Sequence, residues 1–117
     1  LMLFFFLMIR PPPGSTQRRS SAASDVYKRQ AQNVGVPFSG DSQGGMFGFF
    51  LMNELPQNYA KVMTTDSPKF NKLFHGLLDR GVYIAPALYE AGFVSAAHSD
   101  ADIAATVAAA QEVFKTL

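Results

Sequence analysis

The chain has 117 residues, 48% of them hydrophobic, with a formal net charge of +1 and no cysteine. That length admits one domain or part of one, and the lack of cysteine excludes a disulfide framework and a thiolate metal site. The charge is unevenly divided: residues 1–30 hold five basic residues and one acid (+4), residues 31–117 hold five and eight (−3), and so mildly acidic a body argues against a nucleic-acid binder.

The two segments also differ in grammar. Leu1 to Ile9 is an unbroken apolar run, followed by Arg10, the triple proline Pro11-Pro12-Pro13 and a Ser/Arg-rich stretch. A helix of that length spans about 14 Å, against a hydrocarbon core of about 30 Å. A signal peptide carries its positive charge before the apolar run, whereas Arg10 comes after it. Ala22-Ala23-Ser24 mimics a cleavage site, but such triplets of small residues are common. FFFLMIRPPP and SSAASDVYKRQ resemble translated remnants of sequencing adapters. Residues 1–30 are therefore expected to be a non-native, disordered segment, with the folded body at 31–117. A secreted or membrane-anchored binding module is the competing reading, and it requires residues 1–30 to be native.

In the body, Asn33 to Phe38 has weak strand character. Ser39 to Gly45 reads as a turn, rich in residues that tolerate unusual backbone angles. Met46 to Met52 is an apolar run of strand length, enriched in aromatics. Together these predict a hairpin with a buried second strand, and Gly48 inside the run suggests close approach of another backbone or a ligand. Asn53 to Pro56 breaks the run, and Asn58 to Met63 has the length of one or two helical turns. Ser67 is the expected N-cap of a helix with Pro68 at its first position. Phe70, Leu73, Phe74, Leu77 and Leu78 form its apolar face, and Gly81 its C-terminal stop. Val82 to Pro86 and Ala91 to Ala97 read as two short strands. Ser99-Asp100-Ala101-Asp102 is a capping box in its Asp form. It opens a last helix whose stripe runs through Ile103, Val107, Ala110, Val113 or Phe114, and Leu117. The strand pairs are too close for helical crossovers. The expected fold class is α+β: a small antiparallel sheet with helices packed on one side.

Chemistry-bearing residues are few. Gly40-Asp41-Ser42-Gln43-Gly44-Gly45 looks like the G-D-S-G-G around a chymotrypsin-type serine, but Gln43 interrupts it and the chain is half as long as that double barrel requires. A triad of Ser42, His98 and Asp102 can be written on paper without anything to orient it. A hairpin turn is the better account. His75 is expected to flank the core face of its helix, and His98 to bind a backbone group or a loop. With two histidines and no cysteine, no metal site is expected. No phosphate-cradling glycine loop precedes a helix. Glu90 is a lone acid among Tyr89, Ala91, Gly92 and Phe93. Two readings stand: a solvent-exposed carboxylate at a bend between strands, or a carboxylate lining a ligand pocket, with a raised pKa if it is buried without a partner.

Residues 33–117 resemble the C-terminal domain of the glutamate-1-semialdehyde 2,1-aminomutase family, class III pyridoxal-phosphate aminotransferases. The resemblance rests on Gly45 to Phe50, Asn58-Tyr59-Ala60, Phe74-His75, Leu78, and Gly81 to Pro86. It rests above all on Glu90 to Ser95 with Ala97-His98-Ser99, Asp102 and Ile103. Its most specific part is Glu90-Ala91-Gly92-Phe93, which other class III aminotransferases, the alternative within the enzyme class, generally lack at that place. The resemblance implies a fold-type-I enzyme, homodimeric when complete and cytoplasmic, without nucleic-acid or membrane partners. It further implies an intramolecular aminotransferase that converts glutamate-1-semialdehyde to 5-aminolevulinate in tetrapyrrole synthesis. The cofactor would be pyridoxal 5'-phosphate, and Glu90 would bind substrate. None of Lys61, Lys69, Lys72 and Lys115 sits in a motif matching the family's Schiff-base lysine. The chain alone is expected neither to hold the cofactor nor to turn over substrate.

Overall fold

In the computed structural model the described residues are 31–43, 45–94 and 97–117. The expectations for residues 1–30 lie outside them. The sheet has three strands, β1 (Ser39–Gln43), β2 (Met46–Phe50) and β3 (Gly92–Phe93), in the order β1-β2-β3. Both pairings are antiparallel, with Ser39 opposite Phe50, Gln43 opposite Met46, Phe47 opposite Gly92 and Met46 opposite Phe93. The Val94 amide donates to the Gly45 carbonyl at 2.8 Å, carrying the second pairing one residue further. The helices are α1 (Tyr59–Val62), α2 (Ser67–Leu78) and α3 (Asp100–Phe114). The expected α+β architecture is the observed one.

The hairpin is present, but its first arm is displaced along the chain. Residues 31–33 are helical, and residues 36–38 are extended without ladder partners. The strand is Ser39–Gln43, the stretch expected to be the turn. Gly, Asp and Ser are poor strand formers by themselves, and pairing with the aromatic β2 overrides that preference. With Gln43 opposite Met46, only two residues, both glycine, remain for the connection, the length favoured in hairpins. Of the two readings of Gly48, the backbone one does not hold, since a side chain built there meets nothing within 4 Å.

Helix α2 is capped one residue earlier than expected. The Asp66 side chain, not that of Ser67, accepts from the Lys69 amide at 3.0 Å, so Ser67 lies inside the first turn. Aspartate satisfies the same orphan donor. Of the expected apolar face, Phe70, Leu73 and Leu77 are buried, Phe74 is half-buried and Leu78 is exposed. At the far end Gly81 adopts φ +80°, with Gly81 N–H donating to Leu78 O and Val82 N–H to Leu77 O, both at 2.9 Å. This is a Schellman closure, and the left-handed angle suits glycine.

The two strands expected after α2 shrink. Residues 82–85 bury Val82 and Ile84 in alternation, but they join no ladder. Alternation reports burial, and an unpaired segment satisfies it as well as a strand does. The second is reduced to Gly92–Phe93, and Ser95 and Ala96 lie outside the described residues. Helix α3 carries the expected capping box.

One aromatic chain ties the layers together. Phe38 stacks on Phe49 of β2 at 5.6 Å and meets Phe114 of α3 edge-on at 5.7 Å. Phe49 lies 6.5 Å from Phe70 of α2. Both helices thus pack on the side of the hairpin that carries Phe49, over a core completed by Leu73, Leu77, Ile103 and Val113. Such ring pairs add to plain area burial because edges and faces carry opposite partial charge.

Candidate functional site

After Ile84 the chain must turn back to reach β3. It does so through Pro86 to Ala91, with the Glu90 amide approaching the Ala87 carbonyl at 3.4 Å. The turn hangs Leu88, Tyr89, Glu90 and Ala91 over the hairpin. Between them, β1, β2 and the Leu55-Pro56 segment lies a cleft of about 350 Å³, within the range of small-molecule sites. A second, smaller cavity beneath the turn is lined by Phe47, Phe49, Leu88 and Glu90, all four shared with the cleft, and by Phe70 and Gly92 among others. Glu90 is therefore at the junction of both cavities, and it is exposed.

A second acid lies in the cleft. Asp41 of β1 lines it with Ser42 and Gln43, and its Oδ1 accepts from the Ser42 amide at 2.8 Å. Sequence reading treated Asp41 as a turn residue. Strand register alone brings it there, opposite Gly48. Among the described residues no Lys, Arg or His lines either cavity. Two carboxylates beside Phe47, Phe49, Phe50 and Tyr89 suit an amine or ammonium group, which a carboxylate binds by charge-assisted hydrogen bonds and an aromatic face by its quadrupole. The same lining does not fit a phosphate, which needs cationic side chains or convergent N–H groups.

The paper triad is not assembled as a relay. The Asp102 carboxylate accepts from the Ser99 amide at 3.0 Å and from the Ser99 hydroxyl at 2.6 Å, while Ser99 Oγ also lies 3.1 Å from the Asp102 amide. These contacts hold Asp102 below its ordinary carboxylate pKa: the Ser99 hydroxyl contributes most, then the Ser99 amide, with a lesser attraction from His98. The acid is a helix cap. His75 is exposed and meets Phe74 edge-on at 5.3 Å. Among the described residues no group of three or more His, Asp or Glu is placed to hold a metal ion, and no helix is long and apolar enough to cross a membrane.

No family model matches the chain. Individual relatives do. The glutamate-1-semialdehyde 2,1-aminomutase of Verminephrobacter eiseniae is 80% identical over 83 residues, 71% of this chain and 19% of the relative. Those of Paracidovorax citrulli and Delftia acidovorans are 73% identical over 85 residues and 64% over 91, covering 73% and 78% of this chain. The chain spans about a fifth of the length of the curated relatives it matches. Identity that high over the folded body identifies the chain as carrying a segment of the glutamate-1-semialdehyde 2,1-aminomutase family.

Proposed function

We propose that residues 31–117 form the C-terminal small domain of an enzyme that converts glutamate-1-semialdehyde to 5-aminolevulinate, and that Glu90 is its contribution to the substrate site. The observation that carries this reading is the placement of Glu90 at the junction of two aromatic-lined cavities, the larger holding a second acid and neither lined by a cation among the described residues. A substrate amino group placed there would donate to the Glu90 carboxylate.

Pyridoxal phosphate supplies the amino-group transfer when it is bound to such an enzyme. The cavity linings offer it no phosphate partner, so its anchoring belongs to parts of the longer relatives outside this stretch. Aminomutase activity, a homodimeric assembly and a cytoplasmic location belong to the same proposal. By this reading the 117-residue chain alone is inactive, and pyridoxal phosphate mixed with it separates from it on gel filtration.

The test is a graft. The matching 83 residues of the Verminephrobacter eiseniae relative are replaced by those of this chain, with and without Glu90→Gln. The graft is expected to turn over glutamate-1-semialdehyde. Glu90→Gln is expected to lower turnover on the order of 10²-fold, the range for loss of a positioned proton-handling or charge-accepting group. Equal turnover by both forms would overturn the role of Glu90.

A further inference from the structure

Gly92 stands directly opposite Phe47 in the β2–β3 ladder. A Cβ placed on Gly92 would meet three atoms of the Phe47 ring: Cζ at 2.1 Å, Cε1 at 2.4 Å and Cε2 at 2.7 Å. Those separations are far inside van der Waals contact, so the ring lies across the bare face of the glycine. An aromatic folded over a cross-strand glycine covers backbone that no side chain covers, and it fixes the pairing of that strand. Phe47 is buried at 7% exposure, so its ring has little room to swing away.

The consequence falls on Glu90. The turn of residues 86–91 enters β3 through Ala91, and β3 is two residues long, paired only with β2. Strand ladders that short are weak, and the Val94–Gly45 hydrogen bond adds one further tie. The buried Phe47 ring lies against Gly92 of β3, and it also lines both cavities beside Glu90. We infer that Gly92 is a positioning residue: its missing side chain admits the Phe47 ring, and that contact holds the turn so that Glu90 stays at the cleft. This rests on the reading of Glu90 given above. The specificity lies in one atom set. Leucine ends before the ring positions that collide, so Phe47→Leu removes the clash that Gly92→Ala creates.

The experiment compares the 117-residue chain with its Gly92→Ala, Phe47→Leu and doubly substituted forms by amide hydrogen exchange, and runs the same substitutions in the graft for turnover. Gly92→Ala is expected to speed exchange at the Glu90 and Val94 amides at least 10-fold, while Ile103 and Val113 in α3 stay protected. It should lower turnover of the graft at least 10-fold. Phe47→Leu alone, which keeps an apolar group opposite Gly92, is expected to change both quantities less than Gly92→Ala does, and the double variant should return both to within about threefold of Phe47→Leu alone. Three results would overturn the inference: unchanged exchange in Gly92→Ala, loss of protection across α3 as well, or no rescue by Phe47→Leu. If exchange behaves as expected and is rescued while Glu90→Gln retains full turnover, the contact is supported and the reading of Glu90 as a substrate ligand is the part that fails.

Discussion

Asp102 shows how a residue that can be written into a triad on paper is structural, paired with Ser99 at a helix start. Each satisfies the other's backbone amide, the reciprocal arrangement that closes a helix start. Because Asp102 has a folded-state pKa below its ordinary value, its contribution to stability is present above the unfolded value, about 3.9. That contribution is lost as pH falls through the folded value. Ser99→Ala removes the hydroxyl that donates to the Asp102 carboxylate, together with the cap. It is expected to cost about 1 kcal/mol near neutral pH, as N-cap truncations do. The gap in urea midpoint between the two forms should narrow as pH is lowered from about 5 to about 3. A gap constant across that window would mean that the carboxylate does not depend on the Ser99 hydroxyl.

Helix α2 joins the sheet layer to α3, and its buried stripe decides whether the layers hold. Leu73 and Leu77 are exposed by only 2% and 1%, and Val113 of α3 by 1%. Leu77→Ala is expected to cost about 2–5 kcal/mol by lost transfer energy and a residual cavity, read as a lowered thermal or urea midpoint. A loss under about 1 kcal/mol would show that the two helices close over the gap. The periodic stripe was legible in the sequence because a helix face repeats along the chain, and so were the Gly81 stop and the α3 capping box, which are local chemistry. The position of β1 was not legible. Ser39 to Gln43 becomes a strand through its partner, and partner choice is a long-range property. The single run at 82–85 fails as a strand for the same reason. At the site, Glu90 stood out as an acid in apolar company, but Asp41 reaches the cleft only through the register of β1 on β2. The Phe47 ring over Gly92 likewise joins residues 45 positions apart in the chain.

At the level of the whole molecule, the described body leaves apolar surface that its own elements do not cover. Met46 and Phe93 are cross-strand partners, 42% and 56% exposed, and so point to the same side of the sheet. Tyr89, 53% exposed, lies on the turn leading into β3. Adjoining apolar groups on a short outer strand form a surface that favours association. In the matched relatives roughly four-fifths of the polypeptide lies outside this stretch. Expressed alone, the 117-residue chain is therefore expected to self-associate, with a weight-average mass in sedimentation that rises with concentration. Met46→Lys with Phe93→Lys should shift it to the mass of one chain, because a charge on the outer strand β3 and another opposite it on β2 oppose apolar contact and edge pairing. The helical circular dichroism of α2 and α3 should persist, since neither position belongs to the buried core. Were the unsubstituted chain a single-mass monomer at every concentration, this side of the sheet would need no cover. The chain would then be an independent folding unit.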